Sequence, residues 1–311
     1  MNNTILFGNG INLLTSSNKS WNSLLDDLKI PNVFNNGNLP HTMIYERILF
    51  EKQIAEKEEI LKEEQRIKEE IATEFSKIAN HNIYRELFKL KAHNYITTNY
   101  DYAFKNTISQ ELELDSVNKS SEDIYSIRRK IEFYINNQHD TNIWHIHGEI
   151  DKPKTIMLGL DHYCGEIGKI DSYIKGFYTF EKNGETQKVD SIKKKLLKNK
   201  FDEISWIDLF FNSNIHIIGF SFHFSEIDLW WILTKRARLL RDNEVSKRIN
   251  NKIFFYCDII EEATKGLFES VGVTVMEFPH NGNYLDSYEK IIEHLKNKMP
   301  VHSNSNGCTN S

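Results

Sequence analysis

Cysteine is scarce: three residues, Cys164, Cys257 and Cys308, stand far apart in a chain of 311. An odd number at such spacing fits a reducing cytoplasm, and it cannot supply a four-thiolate zinc site. Basic residues are not in excess either. Lys and Arg total 39 against 44 Asp and Glu, a net charge of −5, so broad nucleic-acid binding through phosphate neutralisation is not indicated. No apolar run is long enough to span a membrane. The N-terminus lacks the basic region and apolar stretch of a signal peptide, so a cytoplasmic protein without membrane attachment is expected. No internal repeat is apparent. What remains is ordinary for a globular chain, 40% hydrophobic and 27% charged, with length enough for a real core.

Short apolar runs alternate with helical patterns. Strands are expected over residues 4–8, 95–99, 143–147, 155–158, 216–221, 252–258 and 274–278. Several are apolar over successive residues, as strands covered on both faces are. Helices are expected over 225–241, 260–271 and 284–298. This order argues for an α/β fold, a Rossmann-like doubly wound parallel sheet, as one domain over residues 1–300. Helical insertions are expected at about 41–92, 106–140 and 161–200, with a disordered tail over 301–311. The stretch "EKQIAEKEEILKEEQRIKEE", 51 to 70, reads as a solvated helical hairpin or an oligomerisation arm.

Four motifs carry chemistry. In "ILFGNGIN", 5 to 12, Gly8-Asn9-Gly10 follow a strand and precede a helix starting near Ser20. Free N–H groups at such a turn attract anions, although a dinucleotide fingerprint would have a glycine where Leu13 stands. In "YITTNYD", 95 to 101, a strand ends at Asn99, whose carboxamide suits ribose hydroxyls or an attacking water. Asp101 reads equally as a helix N-cap. In "IWHIHGEID", 143 to 151, an extended segment would turn His145 and His147 to the same face. Gly148 allows a sharp exit that leaves His147 at the sheet's edge, where it reads as a general base titrating near neutrality or, taken alone, as a hydrogen-bonded structural histidine. In "IIGFSFHFSEIDLWW", 217 to 231, Gly219 and Ser221 fit contacts to phosphate or ribose, and Asp228 reads as facing solvent. All four lie at the C-terminal ends of apolar strands, so a parallel sheet brings them to one edge.

With those residues in hand, the chain resembles the sirtuin-like (silent information regulator two) domains of bacterial antiphage defence proteins. The resemblance rests on Gly8-Asn9-Gly10, Thr97-Thr98-Asn99-Tyr100-Asp101, His147-Gly148 and Gly219-Phe220-Ser221, in that order. Abortive-infection proteins of the AbiH type share the Gly-Asn-Gly turn but match the Asn99–Asp101 motif less well. The resemblance implies NAD+ as substrate, without a metal. Gly8, Asn9 and Gly10 would face its diphosphate, with Asn12 in the same cofactor-binding set. Asn99 and Asp101 would lie by the nicotinamide ribose, His147 would be the catalytic base, and Gly219 and Ser221 would contact the adenosine half. Deacetylases of the family usually add a zinc ribbon on four cysteines, which this chain cannot build. Glu149 departs from the small or hydroxyl residue common in deacetylases. The departures favour NAD+ hydrolysis to nicotinamide and ADP-ribose, as in abortive infection, over deacylation. A catalytically silent NAD+ or ADP-ribose sensor and a zinc-free deacylase are the alternatives. Regulation is expected through a homo-oligomer, a partner defence protein such as an ATPase, or a phage-derived trigger. The charged helix and "LWWILTKRARLL", 229 to 240, with Trp230 and Trp231, are the plausible contact surfaces.

Overall fold

The computed structural model describes residues 1–15, 19–29, 34–52, 57–111, 115–119, 124–136 and 138–299. The tail expected at 301–311 lies outside them. Ten strands are present among the described residues: β1 (Asn2–Phe7), β2 (Asn94–Thr97), β3 (Asp115–Lys119), β4 (Lys130–Ile135), β5 (Gln138–His145), β6 (Thr179–Lys182), β7 (Glu185–Lys188), β8 (Ser213–Ile218), β9 (Ile253–Cys257) and β10 (Val273–Glu277). Eight form one sheet in the order β10-β9-β8-β1-β2-β5-β4-β3, and β6 pairs with β7. The six strands from β10 to β5 run parallel, while β4 and β3 continue the sheet antiparallel. Helices cover the sheet: α1 (Trp21–Leu28), α2 (His41–Phe50), α3 (Lys57–Phe75), α4 (Asn82–Lys89), α5 (Ala103–Glu111), α6 (Leu160–Lys175), α7 (Ile192–Lys198), α8 (Leu209–Asn212), α9 (Ile227–Leu239), α10 (Glu262–Ser270) and α11 (Tyr284–Lys298). Among the described residues, no helix is long and apolar enough to cross a membrane.

The alternation of side chains along a strand explains the two-sided core. Ile5 and Phe7 of β1 and Tyr95 of β2 join one apolar cluster with α1 to α5 and α11. Leu6 and Ile96, pointing the other way, join a second cluster with α6 to α10. Central strands with no solvated face therefore read as unbroken apolar runs. The chain leaves β1 toward β2 and β5, then returns to the opposite side of β1 as β8 and continues to β9 and β10. The strand order reverses between β1 and β8, and a doubly wound sheet opens a crevice at that point.

Several expected elements differ. The segment over 155–158 is not a strand: a 3-10 turn spans Pro153–Thr155, and Ile156, Met157 and Leu158 are buried as core. β5 already pairs with β2 on one side and β4 on the other, so no ladder position is free beside it. The region 106–140 is helical only as far as Glu111 and then supplies β3 and β4. Among the described residues, the helical insertion over 41–92 comprises three helices. That over 161–200 is two helices separated by the β6–β7 hairpin.

Candidate active site

A cleft of about 470 Å³ opens at the carboxyl ends of β1, β2, β8 and β9, lined by Asn9, Gly10, Asn99, His147, Gly219 and Ser221 among others. The expected convergence is thus present, and two residues distant in the chain, Asn99 and His147, reach one cavity. Gly8, Asn12 and Asp101 stand behind the wall instead of on it.

The glycine turn is used differently from expectation. The Gly8 N–H donates to the Ile218 carbonyl at 3.3 Å and the Gly10 N–H to the Gly219 carbonyl at 2.8 Å. Both bind β1 to its neighbour β8, so neither is free to meet an anion. Gly10 is needed for close approach: a Cβ there would come within 2.6 Å of Tyr288 Oη and 2.7 Å of the Gly219 carbonyl oxygen. The side chain can yield, the β8 backbone cannot. Gly10→Ala is therefore expected to lower stability by about 1–3 kcal/mol, read by thermal melting, and to narrow the cleft.

Asn12 and Asp101 lock this turn from behind. Asn12 is fully buried; its Nδ2 donates to Asp101 Oδ2 at 2.8 Å and to Asn9 Oδ1 at 2.9 Å, while its Oδ1 accepts from Tyr84 at 2.6 Å. Asp101 Oδ1 accepts the Ala103 N–H at 2.8 Å at the start of α5, so its helix-capping role is real. Burial pushes the Asp101 carboxyl up to about 6 despite those bonds.

The Asn99 side chain is buried, yet its Oδ1 has no hydrogen-bond partner among the described residues and its Nδ2 is a long 3.5 Å from Tyr84 Oη. That acceptor is itself shielded from solvent behind the cleft wall, a buried polar atom that calls for a partner such as a water or a ligand. The loop that carries it is tied to the loop after β5. Ile146 N–H donates to the Thr97 carbonyl at 3.0 Å, and Ile150 N–H to the Tyr100 carbonyl at 3.0 Å. Tyr100 Oη donates to the Met157 carbonyl, and Met157 N–H to the His147 carbonyl at 3.0 Å.

His145 and His147 do not share a face. β5 ends at His145, and the turn that follows sends the rings apart. His145 donates from Nδ1 to the Asn99 carbonyl at 3.2 Å, and burial pushes its pKa down to about 4, so it is a neutral brace under the Asn99 loop. Gly148 makes the exit at φ +106°, where a Cβ would meet the Thr155 carbonyl oxygen at 2.3 Å. Glu149 is fully buried with Tyr102, Asn118 and Arg129, a structural cluster apart from the cleft.

His147 enters a nest of carboxylates. Its Nε2 donates to Asp228 Oδ2 at 2.9 Å, and its Nδ1 lies 3.6 Å from Glu226 Oε2. Tyr163 donates to Glu226 Oε2 at 3.1 Å and packs edge-on against the imidazole. Burial works against charge on the ring, but Asp228, then Glu226 and Glu166, carry its pKa up to about 9. His147 therefore holds its proton at neutral pH, contrary to a base that titrates near neutrality. Asp228 is not solvent-facing; it is fully buried in the first turn of α9, where the helix dipole favours an anion. Asp228, Glu226 and Glu166 are the residues that motif reading missed. An acid in the first turn of a helix has a routine role, which hid Asp228. The donor atoms of His147, Glu226 and Asp228 lie within 4.8 Å of one another, but the His147–Asp228 contact is a closed hydrogen bond that a cation would have to break.

Glu166 of α6 is fully buried, and neither carboxyl oxygen has a hydrogen-bond partner among the described residues. Burial, and then Asp228, push it up to about 8 from 4.5. A folded-state pKa above the unfolded one means that the folded protein holds the extra proton, so stability falls as pH climbs from about 4.5 to about 8. Glu166→Gln is expected to melt higher than the parent by on the order of 1–3 kcal/mol at pH 8, with the gap closing by pH 5.

Aromatic rings stand at the mouth. His41 stacks on His223 with centroids 4.8 Å apart, and Trp21 stacks on His41 at 6.1 Å. Ser20, Trp21 and Asn22, at the N-terminal end of α1, also line the cleft. Among the described lining residues there is no Lys or Arg.

A family model described as a SIR2-like domain matches residues 93–275. The match runs from the start of β2 into β10 and takes in Asn99, His147, Gly219 and Asp228, whereas β1 and the glycine turn join the site through the sheet. No curated protein matches the chain.

Proposed function

The chain belongs to the SIR2-like family, and from that premise we propose that it hydrolyses NAD+ to nicotinamide and ADP-ribose. The observation that carries this reading is the meeting of Asn99 and His147 on one cleft at the switch point of the sheet. The mouth suits the substrate: stacked rings can receive a base. The diphosphate, with no Lys or Arg among the described lining residues to meet it, falls to neutral donors at the α1 N-terminus, with Ser20 among them. Asn9, Gly10, Gly219 and Ser221 border the same space, while Gly8, Asn12 and Asp101 fix its shape.

The chemistry asks little of an acid. Nicotinamide leaves a cationic ring as a neutral molecule, so the protein must stabilise a developing oxocarbenium ion and place a water. Asn99 orients the ribose or that water through its unspent carboxamide. Three cysteines cannot build the thiolate zinc module of deacetylases. The reading extends to NAD+ depletion in abortive infection, with the activity held in check by self-assembly or by a partner such as an ATPase until a phage-derived trigger arrives.

Purified protein incubated with NAD+ at neutral pH, alone and with acylated peptide, tests the reading by chromatography of nicotinamide and ADP-ribose. Nicotinamide released without peptide is expected. Release only with acyl-lysine peptide makes the chain a deacylase, and tight binding without turnover makes it a sensor.

A further inference from the structure

Four ionisable side chains crowd the His147 cluster, and only two of them face the cleft. His147 and Glu226 line it, whereas Asp228 and Glu166 are fully buried behind. Of those two, His147 has one ring nitrogen bonded to Asp228 and the other turned to Glu226 at 3.6 Å. Both nitrogens thus face carboxylates, which leaves no lone pair for a substrate proton. Glu226 differs: Tyr163 and His147 both address Oε2, and Oε1 has no hydrogen-bond partner among the described residues.

Resting on the hydrolase reading above, we propose that Glu226 is a catalytic residue whose Oε1 faces the ribose carbon that bears nicotinamide. The C1′–N1 bond breaks and its electron pair passes to nicotinamide, neutralising the ring. The Glu226 carboxylate stabilises the cationic sugar left behind. A water oxygen then bonds C1′ and its proton moves to Glu226, which releases it to solvent. His147, held by Asp228, is the positioning residue that orients this carboxylate, and Tyr163 does so from α6. The groups facing Glu226 are His147 from the loop after β5, Tyr163 from α6, Asp228 from its own helix and Tyr100 from the loop after β2. Burial and Asp228 raise its proton affinity while His147 opposes them, which gives a group able both to accept and to release a proton near neutrality.

Glu226→Gln in the full chain keeps the size of the side chain and an acceptor for Tyr163 while removing the charge. It is expected to slow nicotinamide release by at least about a hundredfold while ADP-ribose binding stays within about threefold. A second readout needs no turnover. A carboxylate at this place favours the cationic nicotinamide ring, so wild type is expected to bind a non-hydrolysable carbocyclic NAD+ analogue more tightly than NADH, and Glu226→Gln to lose that preference. If wild type shows the preference and the variant lacks it while neither releases nicotinamide, Glu226 is placed correctly and the hydrolase reading fails. An unchanged preference, or turnover of the variant near the wild-type rate, overturns the assignment of Glu226.

Discussion

Replacing His147 with alanine is expected to abolish nicotinamide release and to change how the folded protein answers pH. The ring is buried among Asp228, Glu226 and Glu166, and its pKa is held up from 6.5 to about 9. A raised folded-state value contributes stability that is complete below about 6.5 and fades as pH climbs through about 9. Removing the imidazole leaves three buried carboxyl groups without their cation. Loss of one partner from a buried ionic cluster costs on the order of 3–5 kcal/mol. His147→Ala should therefore melt lower than wild type at pH 6 to 7, and the gap should narrow toward pH 9. Turnover should fall at least a hundredfold, because the imidazole orients Glu226. Melting curves across pH, with ADP-ribose binding as the control for an intact cleft, separate the two effects. Near wild-type turnover in this variant rejects the site.

Asn99→Ala should strike activity alone. Among the described residues the carboxamide donates only one long contact, to Tyr84, and its oxygen is unpartnered, so folding gains little from it. The loop is held by its backbone, through the Thr97 hydroxyl, His145 and the strand-end bonds, none of which needs the Asn99 side chain. Stability is expected to stay within about 1 kcal/mol of wild type. Loss of a positioned polar group at a reacting centre typically costs about a hundred- to a thousandfold in rate. Single-turnover nicotinamide release measures that loss. A drop confined to KM, with kcat intact, would show that Asn99 merely binds the sugar.

The sheet core was legible because β1, β2, β8 and β9 are apolar over successive residues, which strands covered on both faces require. The edge was not. All five residues of β3 are exposed, so Asp115 to Lys119 carry no apolar pattern to announce a strand. The β6–β7 hairpin did leave a trace: Asn183 and Gly184 both have positive φ, 54° and 79°, as a two-residue Asn-Gly turn demands. Its flanks are polar and mostly exposed, which hides the alternation. At the site, Asn99 and His147 could be read because each ends a strand and has a side chain with chemistry to offer. Asp228 could not, because its burial follows from the packing of α6 on α9, a contact between distant segments. The tied N–H groups of Gly8 and Gly10 were equally hidden, since they depend on β8 becoming the neighbour of β1.

The bonds that join the loops after β2 and β5 have a mechanical corollary. Asn99 and His147 sit on segments stitched by main-chain contacts from Thr97 to Met157, so they cannot part without breaking a row of them. Any breathing that admits a dinucleotide is therefore expected elsewhere on the rim, at the start of α11. The spacing between the two working groups is therefore expected to be the same before the guest arrives as after it leaves.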